Sequence, residues 1–180
     1  MKRNDKIIAV AQGAMIAAIY AAATYASSAL GIAYGQVQFR FSEALTALAV
    51  LTPAAVPGLT VGCILGNIGS PMGVWDIIFG SLATLLASLS ARALRRVRFK
   101  GIPLLSIIMP VIFNALIVGA EIALLTPTDG AKLTLFAISA LEVGAGELVV
   151  CLAGGIPIYL ALRNKNILSL IHISEPTRHA

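Results

Sequence analysis

The sequence predicts an all-α integral membrane protein, a bundle of six transmembrane helices with both chain ends on the cytoplasmic side. Three observations carry this. Hydrophobic residues make up 58% of the 180 positions and charged residues only 12%, with a mean hydropathy of +0.92. That is far more apolar surface than a soluble core needs. The apolar residues fall into runs of helical length, and the basic residues sit in short blocks between those runs. A spanning helix needs about 20 apolar residues to cross a hydrocarbon layer of about 30 Å, so the length leaves room for one such bundle and for no soluble enzyme or ATPase domain.

The first span is expected at about 7–30, preceded by Lys2, Arg3 and Lys6. The next two runs, 41–52 and 54–67, are shorter. Pro53 separates them and Pro57-Gly58 interrupts the second, which predicts two short or tilted helices joined by a tight turn. A full span at 74–94 ends in the basic block "RALRRVRFK", and spans at 102–125 and 133–162 complete a single domain over 1–167. Counting six crossings places ten basic residues (Lys2, Arg3, Lys6, Arg92, Arg95, Arg96, Arg98, Lys100, Arg163 and Lys165) inside and only Arg40 and Lys132 outside. Merging the two short runs gives five crossings and scatters the basic residues over both sides, against the positive-inside rule. The same rule accounts for the net charge of +5 without nucleic-acid binding.

The tail "LSLIHISEPTR", within 168–180, back-translates without a break into a sequence resembling a transposon sequencing adapter, and is read as non-native. Both histidines, His172 and His179, fall there. Without them the chain has no histidine base or metal ligand, and no Ser-Lys pair at useful depth, which argues against an intramembrane enzyme. Cys63 and Cys151 lie inside apolar runs as small hydrophobes. No Walker-type phosphate loop is present, so no cofactor is expected here and ATP hydrolysis would belong to partner chains. Inverted repeats of the kind an autonomous small carrier would show are not evident.

Polar residues stand out against this background. In "YGQVQFRFSEAL", Gln36, Gln38 and Arg40 alternate with Val37, Phe39 and Phe41, and the stretch belongs to an ordered extracellular loop, 31–40, leading into the second helix. Glu43, Asn67, Asp76 and Glu121 all fall toward the outer face, Asn114 near the middle of the fifth helix, and Glu147 deeper in the last. A charged side chain at the bilayer centre costs about 2.5 to 3.5 kcal/mol on insertion scales, so several near one level predict a polar cavity open to the outside. Simpler readings exist for some. Arg40 and Glu43 are spaced to pair with each other. Asp76 beside Trp75 fits an exposed helix start at headgroup level, and Glu121 and Glu142 lie where solvent is expected. Glu147, between Gly144 and Gly146, is hardest to explain structurally. On the first helix, Ala14, Ala18, Ala22 and Ala26 form one ridge of small residues and Gly13, Ala17 and Ala21 another. Such ridges let helices approach closely, either within the bundle or against a second membrane protein.

The runs "YGQVQFRFSEALTAL", "GLTVGCILGNIGSPMGVWDIIFG" and "GAGELVV", in this order on six spans, resemble the queuosine-precursor transporter (QueT-like) family, the substrate-binding S components of energy-coupling factor (ECF) transporters. The likeness extends from about residue 11 to 162. It implies a bacterial membrane protein that binds a deazaguanine from outside under the loop. It also implies docking through Ala14, Ala18 and Ala22 onto a coupling subunit driven by two ATPases. Gln36 or Gln38 would suit the amide and ring edges of the base. Glu43, Asp76 or Glu147 would suit an aminomethyl cation, and Trp75, Tyr34 or Phe39 would suit stacking. Arg40, Asn67 and Asn114 complete the candidate site. An S component for another vitamin-like molecule, or an autonomous carrier, remains the alternative.

Overall fold

The computed structural model describes residues 3–34, 37–128 and 130–163; Gln36 and the tail read as adapter sequence lie outside the described residues. Six apolar helical segments follow one another: α1 (Arg3–Ala29), α2 (Phe41–Leu51), α3 (Ala55–Gly69), α4 (Val74–Ala93), α5 (Leu104–Leu125) and α6 (Lys132–Leu162). Among the described residues there is no strand, only one bridge between Phe99 and Ile102. Four of the six, α1, α4, α5 and α6, are long and apolar enough to cross a membrane.

The two short segments are irregular for local reasons. α2 begins as seven residues of 3-10 helix, Phe41–Ala47, and continues as four of α-helix, about 20 Å in all at the rises of these helices. It stops because Thr52, preceding Pro53, is forced extended (φ −133°, ψ 138°). α3 ends in a 3-10 turn, Asn67–Gly69, and Gly73, at φ 62°, supplies the left-handed corner that starts α4. Between α4 and α5, Lys100 (φ 50°) and Gly101 (φ 82°) form the turn under the Phe99–Ile102 bridge.

Glycine contacts give the relative directions of the helices. A Cβ on Gly58 would lie 2.6 Å from the Gly13 carbonyl, one on Gly62 2.7 Å from Tyr20 Cβ, and one on Gly66 2.9 Å from Thr24. Positions rise together along both helices, so α1 and α3 run parallel in van der Waals contact. Gly119 meets Ala140 and Gly144 meets Ala115, so α5 and α6 run antiparallel. α4 runs against α3, since Asn67 bonds Asp76 at one level and Cys63 meets Thr84 further along. α2 descends between them, from Ser42 near Thr24 to Thr52 near Gln12. A parallel α1–α3 pair requires this intervening return, which gives short α2 the role of a segment passing back through the bundle. It follows that the start of α1 and the end of α6 lie at one end, together with the α4–α5 turn that carries Arg95, Arg96 and Arg98.

The glycine row Gly58, Gly62 and Gly66 on α3 is the counterpart of only one ridge on α1. Ala17 and Ala21 are buried, whereas Ala14, Ala18 and Ala22 are exposed on the outside of the bundle. α6 is interrupted by a π-helical stretch, Cys151–Gly155, which widens the turn just ahead of Pro157, whose missing N–H and bulky ring a regular helix interior does not tolerate. This wide stretch packs on the narrow 3-10 part of α2: Gly154 lies where a Cβ would stand 2.7 Å from Ala44 Cβ. Lys132 closes the opposite end, its Nζ donating to the Ala123 carbonyl (2.9 Å) and the Thr126 carbonyl (2.7 Å) at the end of α5.

Candidate functional site

At the end of the bundle away from the chain ends, buried polar side chains from every helix face inward. The loop brings the first of them. Phe39 N–H donates to the Ile32 carbonyl at 2.8 Å and Phe41 N–H to Ser27 Oγ at 3.0 Å, which fastens the strand-like stretch to the end of α1. The period-2 pattern then decides the sides: Gln38 and Arg40 are buried, while Val37 and Phe41 are exposed. The loop backbone rests on α6 at Gly146, where any Cβ would collide with the Gln38 carbonyl.

Arg40 is 2% exposed. It donates through Nη2 to Asn67 Oδ1 at 2.7 Å, and Asn67 in turn donates to the Asp76 carbonyl at 2.9 Å. Gly80 on α4 leaves room for this pair, since a Cβ there would stand 2.6 Å from Asn67 Nδ2. Arg40 therefore does not serve as a simple surface partner of Glu43. Glu43, 1% exposed, takes its own donors: the Tyr20 hydroxyl, Thr84 Oγ1 at 3.3 Å and Thr46 Oγ1 at 3.4 Å. Arg40, Asn67 and Glu43 thus form a network tying the loop, α1, α2, α3 and α4 together.

A second group is buried without such partners. Glu147 (0% exposed), Glu121 (1%) and Asn114 (2%) have no hydrogen-bond partner on either polar side-chain atom, and Arg40 Nε and Ser81 Oγ are likewise unpartnered. Asn114, Val118 and Glu121 share one buried face of α5, while Val143, Glu147 and Val150 share one of α6. Val118 and Val143 pack together with Ala83, so the two polar faces flank a common apolar floor. The pairing of Gly144 with Ala115 puts Glu147 and Asn114 within about a turn of each other in depth. Glu121 lies about two turns nearer the loop end. There it faces Asp76, whose carboxylate accepts from Ser70 Oγ. Leaving a buried polar group unsatisfied costs about 1 to 3 kcal/mol each, which makes this cluster the candidate site.

Two expectations need correction. Glu121 is not solvated at an interface: it projects from the inner face of α5 and is buried by α4. Asp76 is not an exposed helix start, because the turn at 70–73 folds Ser70 over it. Trp75 is 48% exposed and stacks on Phe79 with centroids 6.1 Å apart, so it faces outward and away from the polar core. Tyr34 instead donates to the Gly66 carbonyl at 3.2 Å. The site members that sequence reasoning missed are the hydroxyls, Tyr20, Thr46 and Thr84. Their only signal is spacing: in α1 Tyr20 and Thr24 occupy successive turns on the face that meets α3 and α2.

A six-segment helical bundle with an apolar outside and a polar, partly unpartnered core near one end defines a multi-pass membrane protein. The chain belongs to the QueT transporter family, whose sequence profile matches residues 10–164. It is 35% identical over 84 residues to the queuosine precursor transporter QueT of Lactococcus lactis subsp. cremoris (strain MG1363), and that alignment spans 47% of this chain and 49% of the relative. The chain thus matches about half the length of this curated relative. No solved structure matches.

Proposed function

We propose that the chain is the substrate-binding component of an energy-coupling factor importer for a queuosine precursor of the deazaguanine class. The observation that carries this is the group of buried, unpartnered polar atoms on Asn114, Glu121, Glu147, Ser81 and Arg40, in a chain of the QueT transporter family. A deazaguanine presents amide, amine and ring-nitrogen edges, and Asn114 offers one donor and one acceptor group to such an edge. Gln38, Arg40, Glu43, Asn67 and Asp76 make up the rest of the proposed site. The ligand enters from outside, at the end opposite the basic α4–α5 turn, in accord with the positive-inside rule.

Transport itself falls to partners: a membrane coupling subunit and two ATPases, with α1 as the docking helix. The exposed row Ala14, Ala18 and Ala22 supports this reading. Beside it runs a groove of about 570 Å³ between α1 and α3, lined by Val10, Gly13, Ala14, Ala17, Pro57 and Val61 among others. Small residues there allow a partner helix close contact. Isothermal titration of the purified chain with several deazaguanine precursors, guanine and thiamine tests the substrate assignment. Binding of a deazaguanine without partners or ATP is expected, and heat from thiamine alone, or from no deazaguanine, would move the assignment to another vitamin-like molecule.

A further inference from the structure

The end of the molecule away from the polar core carries charge that the chain itself does not answer. Between Asp76 and Glu121 the sequence holds five basic residues, Arg92, Arg95, Arg96, Arg98 and Lys100, and no acid. The five are not equivalent. Arg92 turns back onto α2, its Nη1 donating to the Val50 carbonyl at 3.2 Å and the Ala49 carbonyl at 3.4 Å. Arg95 Nη1 donates to the Arg92 carbonyl at 2.9 Å, and the charge that acts on Arg92 is that of Arg95. Arg96, Arg98 and Lys100 are exposed. Among the described residues neither Arg96 nor Arg98 has a hydrogen-bond or ion-pair partner. Apolar side chains alternate with these cations: Val97 is 53% and Phe99 66% exposed, and the Lys100 ammonium lies 5.7 Å from the centre of the Phe99 ring. A closed turn holds the stretch in this presentation. Phe99 N–H donates to the Ile102 carbonyl at 2.8 Å and Ile102 N–H to the Phe99 carbonyl at 3.0 Å, while Lys100 and Gly101 between them both have positive φ, the arrangement of a tight hairpin.

We propose that this turn docks on the anionic phospholipid headgroups of the leaflet on its side of the membrane, with Arg96 and Arg98 on the phosphates and Val97 and Phe99 entering the boundary between headgroups and acyl chains. Two requirements meet there. Like charges gathered without a counter-charge repel one another, and a guanidinium pairs with phosphate oxygens through two parallel N–H donors. An exposed aromatic ring and a valine gain by leaving water, and aromatic rings settle at headgroup level. A headgroup layer satisfies both needs at the place where α4 and α5 leave the hydrocarbon, and basic clusters beside a spanning helix are drawn to anionic lipid. The positive-inside rule accounts for the side on which the basic residues lie, but it does not call for Val97 and Phe99 among them. An acidic protein partner would answer the arginines and leave the same two residues unexplained. The proposal rests on the multi-pass fold and is independent of the substrate assignment.

The test is titration of the full chain in a nonionic detergent with phosphatidylglycerol and with phosphatidylcholine of the same acyl chains, bound lipid being counted by native mass spectrometry. The wild type is expected to bind phosphatidylglycerol at least about 10-fold more tightly than phosphatidylcholine, as a cluster of unpaired cations at a headgroup layer requires. The double variant Arg96→Gln/Arg98→Gln should bring the two lipids to within about 3-fold of each other. Neither arginine has a protein partner, so its unfolding midpoint without lipid should match that of the wild type. Phe99→Ser should weaken both lipids and keep the preference, since it removes apolar contact and no charge. Lys6→Gln/Arg163→Gln removes two charges at the same end of the bundle but off the turn, and should also keep it. Excess inorganic phosphate should leave the lipid bound, because it offers nothing to Val97 and Phe99. Equal binding of the two lipids by the wild type, or a preference that survives Arg96→Gln/Arg98→Gln, overturns the proposal; loss of uptake by that variant with its lipid binding intact would assign the turn to an acidic protein partner instead. Displacement of the lipid by inorganic phosphate would equally overturn it, by showing a seat for any small anion.

Discussion

Tyr20 shows how a single side chain in this core does work that its neighbours cannot replace. Its hydroxyl donates to Glu43 and lies 3.3 Å from Thr84, so one residue joins α1, α2 and α4 at the depth where the loop enters. Tyr20→Phe keeps the ring and its packing but removes the donor. A typical intramolecular hydrogen bond contributes about 0.5 to 1.5 kcal/mol net, and Thr84 and Thr46 remain to serve Glu43, so a loss of about 1 kcal/mol is expected. Thermal unfolding in detergent reads it, and an unchanged midpoint would mean that Glu43 is held without α1. The acids and amides of the site were legible in the sequence because a charged residue in an apolar run is conspicuous. Thr46 and Thr84 were not, since a Ser or Thr hydroxyl in a helix bonds its own backbone as readily as it serves a site, and Tyr20 was not, since an aromatic in an apolar run is inconspicuous. Thr24, which bonds the Tyr20 carbonyl at 3.0 Å as well as Ser42 at 2.9 Å, does both. Glu121 was misplaced because its position near the end of α5 suggested solvent, and only the packing of α4 across it shows otherwise.

Two faces of α1 have opposite fates, and the difference lies in what stands opposite. Gly58, Gly62 and Gly66 recur every fourth residue on α3, and they admit the backbone of α1 along the Gly13, Ala17 and Tyr20 side. The ridge of Ala14, Ala18 and Ala22 stays exposed. The sequence showed both ridges but not which one was internal, because small residues look the same whether they face a partner in the same chain or another. Substitutions separate the two. Gly62→Leu drives a side chain into Ala17 and Tyr20, and overpacking of this kind costs typically 1 to 3 kcal/mol; a clear drop in the unfolding temperature is expected. Ala18→Trp should leave unfolding and ligand binding nearly unchanged while abolishing ATP-dependent uptake in cells carrying the coupling subunit and ATPases. Normal uptake by Ala18→Trp would show that the exposed ridge faces lipid alone. The irregular elements were legible only in part. Pro53 announced the end of α2, but nothing in "FSEALTA" announced a 3-10 helix, which packs against the wide π-helical turn of α6.

At the scale of the whole molecule, the fold separates apolar packing from a polar core along one axis. The end that carries the α1 and α6 termini and the basic turn Arg95 to Arg98 holds few buried polar groups, and its apolar packing centres on Ile16, Leu59, Ala87 and Met109. The opposite end carries the polar core under a loop pinned at Ile32, Ser27 and Gly146. The helical class and the six segments could be read from composition and run length, and the alternation of Gln38 and Arg40 with their apolar neighbours gave the loop its inward face. What the sequence could not give was the parallel run of α1 and α3 with α2 returning between them, since that is set by which glycines meet which backbone. The central claim is that the unpartnered polar group on α5 and α6 is the substrate site. A structure of the full chain with a bound deazaguanine precursor tests it most directly: the account predicts the ligand between α5, α6 and the loop, within hydrogen-bond distance of Asn114 and Glu147, whereas a ligand seated anywhere else, such as the groove between α1 and α3, with both residues untouched, would contradict it.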